Sequence, residues 1–204
     1  MSLYYDYQIK IILVGDSGCG KSSLCQQIST HTFNDNCQST VGVDFITKVF
    51  EINEKKKLVH YKAHIWDTAG QEMYKSLITS YYKRASGIIL VFDLNDERGF
   101  RNIRNWYEEV KLYSPPESPI ILLGNKCDLI QKIDIKEIQD FTENNNIPYI
   151  ITSAKDYKNT YNAFIYLINK INDQFENELN VHVIKKNNVF YIDSDKYSNN
   201  SCCY

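Results

Sequence analysis

The chain has 204 residues, the size of one ordinary domain with a margin, and its 43% hydrophobic and 24% charged fractions are those of a globular protein. Those values exclude disorder throughout and a fibrous repeat. The 23 basic and 25 acidic residues leave a net charge of -2, so no whole-molecule field draws the chain to nucleic acid, and none is expected as a partner.

Residues 1–7 read as an N-terminal extension. Short runs rich in Ile, Val, Leu and Phe follow at 9–14, 88–92, 119–123 and 148–151, separated by longer segments of helical period. This alternation predicts an α/β fold of βαβ units. Its six-stranded sheet is mostly parallel, with helices on both faces, because strands covered on both sides are apolar at nearly every position. Residues 44–52 and 58–66 flank Asn53-Glu54-Lys55-Lys56-Lys57 and read as a hairpin, hence one antiparallel edge strand. A last helix is predicted from about Asn159 to Leu179, with Ala163, Phe164, Leu167, Ile168, Ile171 and Phe175 on its core face. After Asn180 the periodicity fails. The main domain is therefore expected to span 8–180, with 181–204 a flexible tail in which 181–184 and 189–192 are apolar enough to dock.

The six cysteines form no C-x-x-C pair and have no His at zinc-ligand spacing, which argues against a disulfide framework and a zinc site. The first residues lack a basic segment followed by an apolar one, and lack a second-position glycine. The longest apolar runs fall far short of the roughly 20 residues of a spanning helix. The expectation is a chain made and kept in reducing cytosol.

Three of only eight glycines fall within six residues, in Gly15-Asp16-Ser17-Gly18-Cys19-Gly20-Lys21-Ser22, followed by Ser23-Leu24. The order is strand, glycine loop, helix, and the pattern is G-x-x-x-x-G-K-[ST]. Backbone N–H groups converge on a phosphate only where no Cβ intervenes, and the helix that follows turns its positive end to the same anion. Lys21 would reach the terminal phosphates, and the Ser22 hydroxyl can ligate Mg²⁺. A second anchor is expected from Asp67, at the end of the strand through Ile65-Trp66. Gly70 permits the backbone to approach a γ-phosphate, and Gln71 could orient an attacking water.

Two further strand ends carry Gly124-Asn125-Lys126-Cys127-Asp128 and Thr152-Ser153-Ala154-Lys155, where open α/β sheets bind ligands. An Asp128 carboxylate can accept from guanine N1–H and its exocyclic amine together, whereas adenine offers no such donor pair. The Lys126 stem could cover the base, and an N–H near Ala154 could meet the guanine carbonyl. The constellation selects GTP over ATP.

These pieces, in this order, resemble a Ras-superfamily small GTPase over residues 8 to about 178, and the Rab family within it. Val41-Gly42-Val43-Asp44-Phe45 is similar to the Rab switch I signature and Lys62 to Trp66 to the strand before switch II. Tyr81-Tyr82-Lys83-Arg84-Ala85 resembles the YYRGA segment, and Val91-Phe92-Asp93-Leu94-Asn95 the strand after it. The resemblance implies a P-loop NTPase fold and a GTP/GDP switch. Ser17, Gly18, Cys19, Gly20, Lys21, Ser22 and Ser23 would cradle phosphate, while Asn125, Lys126, Asp128, Ser153, Ala154 and Lys155 would hold the base. It further implies that Thr40 joins Ser22 and Asp67 around Mg²⁺ and contacts the γ-phosphate, that Phe33 packs on the base, and that Phe45, Trp66 and Tyr81 form the aromatic triad read by effectors. From the residues alone those three aromatics are core candidates ahead of interface ones, because large apolar side chains usually bury themselves, and both can hold in different nucleotide states.

The sequence departs from the Rab pattern at Cys37, where many members have Tyr, at Met73-Tyr74 in place of Arg-Phe, and at Arg84 in place of Gly. The hairpin around Lys55 looks longer than usual. No motif places an intrinsic Arg at the phosphates, so slow hydrolysis is expected, accelerated by an activating protein, with an exchange factor for nucleotide release.

The chain ends Ser201-Cys202-Cys203-Tyr204, which is not a C-a-a-X box. It resembles the CC-type ends of Rabs, implying two geranylgeranyl groups on Cys202 and Cys203, an escort protein, and a GDP-dissociation inhibitor. Nearby charge is slight, Lys185, Lys186 and Lys196 against Asp193 and Asp195, so two lipid chains rather than a polybasic patch would hold the membrane. The expected protein is a monomer cycling between cytosol and the cytoplasmic face of an intracellular membrane. Two alternatives stay open at this point: a GTP-binding scaffold with negligible hydrolysis, and a metabolic P-loop kinase.

Overall fold

The computed structural model describes residues 4–35, 40, 42–54, 57–68, 80–176 and 184–185. Six strands, β1 (Tyr7–Val14), β2 (Val43–Glu54), β3 (Lys57–Thr68), β4 (Gly87–Asp93), β5 (Ile120–Asn125) and β6 (Tyr149–Ile151), lie in the order β2-β3-β1-β4-β5-β6. All neighbours run parallel except β2 and β3, which pair antiparallel from Val43 opposite Thr68 to Glu54 opposite Lys57. The hairpin is longer than its apolar runs suggested, because the alternation of buried and half-buried positions continues to Thr68.

The described helices are α1 (Lys21–Thr30), α2 (Glu97–Tyr113), α3 (Ile135–Asn145) and α4 (Tyr157–Glu176). Successive strand residues point to opposite faces, so β1 feeds two cores. Ile9, Ile11 and Leu13 pack with Leu24 and Ile28 of α1 and Phe164, Leu167 and Ile171 of α4. Ile12 and Val14 pack on the other side with Phe100, Ile103 and Val110 of α2 and Ile138 and Phe141 of α3. The near-continuous apolar strands thus have their physical cause in a sheet covered twice. Helix α4 starts two residues before Asn159 because Asp156 caps it, accepting the Asn159 N–H at 3.2 Å. It is described to Glu176, and residues 177–180 lie outside the described residues.

A seventh, two-residue strand β7 (Ile184–Lys185) pairs antiparallel with β1 at Gln8 and Tyr7, beyond the start of β4. Ile184, the last residue of one of the two apolar stretches noted in the tail, thus meets the sheet, and 181–183 lie outside the described residues. The other, 189–192, lies outside the described residues.

The topology positions the site. The chain leaves β1 through α1 toward β2 and β3 on one side, then returns to β4 on the other, so a crevice opens above the carboxyl end of β1. Into the same end project Gly15 after β1, Asp67 of β3, Asp93 of β4, Asn125 of β5 and Ser153 after β6.

Candidate nucleotide site

A cavity of about 350 Å³ occupies that crevice, within the range of small-molecule sites. Ser17, Gly18, Gly20, Lys21, Ser22 and Ser23 line one end, and Asn125, Lys126, Asp128, Ser153, Ala154 and Lys155 the other, with Phe33 and Thr40 on the wall between.

The loop's shape is set by glycine. Gly15 (φ 148°) leaves no room for a Cβ, which would run into the Val91 carbonyl, and at Gly20 (φ 100°) it would run into the Asn125 amide. Both conformations are ones that L side chains rarely adopt. Cys19 is buried beneath the loop rather than lining the cavity, and it presents its carbonyl to Asn125 Nδ2 at 2.8 Å. Lys21 is 5% exposed, its ammonium resting on the carbonyls of Gly15 and Asp16 at 2.8 Å each. A cation stored at the mouth of an amide-lined loop is suited to a polyphosphate.

Beside it three oxygens converge. Ser22 Oγ donates to Asp67 Oδ2 at 2.5 Å, lies 2.7 Å from Thr40 Oγ1, and Thr40 Oγ1 donates to the same carboxylate oxygen at 3.4 Å. The other oxygen, Asp67 Oδ1, is buried without a partner among the described residues. Burial pushes the Asp67 carboxyl up, against the Ser22 hydrogen bond and the Lys21 charge. One carboxylate and two hydroxyls, with a buried lone pair unspent, fit a hard divalent cation whose remaining ligands are phosphate and water.

At the base end Asp128 Oδ1 accepts from Ser153 Oγ at 2.5 Å and Oδ2 meets Lys155 Nζ at 3.1 Å. Burial works against the charge, but these hydrogen bonds outweigh it and hold the carboxyl below its usual range. It is therefore an aimed, ionised acceptor. Lys126, at φ 64°, pairs its ammonium with Asp93 at 2.7 Å and leaves its stem along the cavity wall. Lys155 Nζ stands 5.3 Å from the Phe33 ring centroid.

Two residues at this end are also bonded to each other. Asn125 is fully buried and serves as a tie, its amide donating to Cys19 O while its oxygen accepts the Ala154 N–H at 3.1 Å. The Ala154 N–H, in the stretch where an N–H was expected to meet the guanine carbonyl, donates to Asn125. The reason is proximity: Thr152 N–H bonds Gly124 O and Cys127 N–H bonds Thr152 O, which lock the two strand ends together. Leu129, Asn34, Asp35 and Thr68 also line the cavity without having been singled out. Only Thr68 had a legible signal, its position directly after Asp67.

The aromatic triad is assembled on the outer face of β2 and β3. Phe45 is 45% exposed and lies 5.2 Å from the half-buried Trp66, which lies 4.9 Å from the half-buried Tyr81. Two residues that the sequence did not single out support it. Lys10 Nζ sits 5.1 Å from the Trp66 ring and donates to the carbonyls of Tyr81 and Lys83, and His64 stacks under Phe45 at 5.2 Å. Arg84, standing where the family has glycine, is held at φ 61°, a left-handed conformation costing about 1 kcal/mol for a residue with a Cβ.

Cys37, Gly70, Gln71, Met73, Tyr74, Cys202 and Cys203 lie outside the described residues. Among the described residues no helix is long and apolar enough to cross a membrane.

Comparison with known proteins agrees with this geometry. Residues 10–173 match the model of the Ras family. GTP-binding protein ypt1 of Schizosaccharomyces pombe is 38% identical over 179 residues, 87% of this chain and 86% of that relative. Ras-related protein Rab-1A of Dictyostelium discoideum is 36% identical over 201 residues, 98% of each chain, and Rab-1C of the same organism is 40% identical over 169 residues, 82% of each. Neither a scaffold without hydrolysis nor a metabolic kinase is favoured by these relationships. The chain belongs to the Rab family of the Ras superfamily and is a small GTPase, binding guanine nucleotide and hydrolysing GTP.

Proposed function

We propose that this GTPase is a membrane-anchored switch in vesicle traffic, displaying the Phe45, Trp66 and Tyr81 face to effectors only when GTP is bound. The observation that carries the reading is the meeting of Ser22, Thr40 and Asp67, from three separate stretches of chain, beside the Lys21 ammonium. Ser22, Thr40 and Asp67 would hold Mg²⁺, which when bound neutralises charge on the β- and γ-phosphates. Thr40 would contact the γ-phosphate and the Gly70 backbone would approach it, and loss of that phosphate releases both segments. Hydrolysis breaks the bond between the γ-phosphorus and the β–γ bridging oxygen as water attacks in line. Gln71 orients that water, while Lys21 and the loop amides take up charge on the leaving diphosphate. Exchange factor, activating protein, escort protein and GDP-dissociation inhibitor are the regulators this cycle requires. Partner capture tests the whole reading: effectors should bind the chain loaded with a non-hydrolysable GTP analogue and not with GDP, and equal capture in both states would overturn it.

Gln71→Leu should leave nucleotide affinity unchanged and slow single-turnover GTP hydrolysis by about tenfold or more, about 1.4 kcal/mol in the barrier. Undiminished turnover would remove that role. At the other end of the chain, Cys202 and Cys203 are proposed to carry the two prenyl groups. One chain binds a bilayer marginally and two bind stably, each buried CH₂ contributing about 0.8 kcal/mol. Replacing both cysteines with Ser should move the protein wholly to the soluble fraction in cells, and persistent sedimentation with membranes would count against the anchor.

A further inference from the structure

The phosphate loop holds a charge of the wrong sign. Asp16 places a carboxylate inside the stretch that must attract polyphosphate, and a like charge within a few ångströms of a bound anion opposes it unless it is turned away. Asp16 Oδ1 accepts the Trp106 indole N–H at 2.7 Å, and Asp16 Oδ2 accepts the Asn102 side-chain amide at 2.8 Å. Asn102 and Trp106 are one turn apart on α2, so both donors leave one face of the helix. The main chain of the same residue serves the other side, its carbonyl accepting the Lys21 ammonium at 2.8 Å. Trp106 is 5% exposed and packed among the core residues beneath α2, so its N–H is aimed by the core and not by the loop. Asn102 is exposed and free of that packing, which leaves the hydrogen bond to Asp16 as its contribution.

We infer that Trp106 and Asn102 are positioning residues for the phosphate loop, tying the Asp16 carboxylate to α2 so that its charge points away from the nucleotide and the loop amides stay aimed at the β-phosphate. Hydrogen bonds to an ionised acceptor are about twice as strong as neutral ones, and two from one rigid helix fix the direction of the carboxylate as well as its place. Losing them returns negative charge to the loop and loosens its backbone together. Both effects fall on the phosphates and spare the base end. The inference rests on the guanine-nucleotide reading of the cavity.

The test uses the full chain with Mg²⁺. The release rate of a fluorescent GDP analogue is measured together with the affinities of GDP and GMP by competition. Trp106→Phe keeps an aromatic side chain but removes the N–H together with the pyrrole part of the indole, and should speed GDP release and weaken GDP affinity by about tenfold, while Asn102→Ala should do so by about threefold. GMP, which lacks the β-phosphate, should shift by less than about twofold in either variant, a selectivity that general destabilisation would not produce. Because Asn102 is exposed, its variant still reports if Trp106→Phe folds poorly. Wild-type GDP release in both variants, or equal losses for GDP and GMP, would overturn the inference. Failure of the unmodified chain to bind any guanine nucleotide would overturn the reading of the cavity instead, and this inference with it.

Discussion

Asp128→Ala is expected to lower GDP affinity by about 10³-fold and to leave the feeble binding of ADP where it was, measured by calorimetry on the two nucleotides side by side. Two hydrogen bonds from guanine to an ionised acceptor contribute about 1.5–3 kcal/mol each, and both vanish with the carboxylate. The size of the effect depends on preorganisation. Ser153 Oγ and Lys155 Nζ hold the two Asp128 oxygens in place, so little is lost in ordering the group when base arrives. Adenine has no donor pair for that edge and so nothing to lose. A parallel fall for both nucleotides would mean that Asp128 supports the fold of the loop and does not read the base.

Lys21→Met should cost GTP about 10³-fold in affinity and GDP roughly tenfold less than that, as expected of an ammonium that would reach the terminal phosphates, the last of which the diphosphate lacks. The stem survives in Met, so packing is nearly kept while the charge is removed. The substitution also strands the Gly15 carbonyl, which Lys21 serves at 2.8 Å, so the nucleotide-free protein should lose about 1–3 kcal/mol on chemical denaturation. Titrations with GDP and GTP at fixed Mg²⁺ separate the two effects. Equal losses for the two nucleotides would place the ammonium away from the γ-phosphate.

Much of this is legible in the amino-acid sequence, and the reason lies in contiguity. The glycine loop, the Asn125 to Asp128 element and the alternation of apolar runs with helical segments are written within a few residues each, where spacing alone encodes geometry. Element ends were less legible. The β2–β3 pair extends to Glu54 and Thr68 because cross-strand burial carries on past the apolar run, and α4 starts early because Asp156 supplies a cap. The exposure of Phe45 could not be read from the residue pattern, and only the family resemblance pointed to it. A strand residue such as Phe45 is apolar whichever face it occupies, and only the packing of β2 at the sheet edge leaves it open.

The sequence by itself determined the fold class, the phosphate loop, the choice of guanine and the family, because each depends on side chains close together along the chain. Tertiary structure decided what joins those parts. Asn125 binds the carbonyl of a residue 106 positions away and the N–H of another 29 positions away, and thereby serves as a tie between the phosphate and base loops. Ser22 hydrogen-bonds Asp67 across 45 positions, and the Asp16 carboxylate accepts the indole N–H of a residue 90 positions distant. No spacing rule reaches so far. Such contacts exist only once two packed cores have set the sheet and its helices at fixed distances from one another.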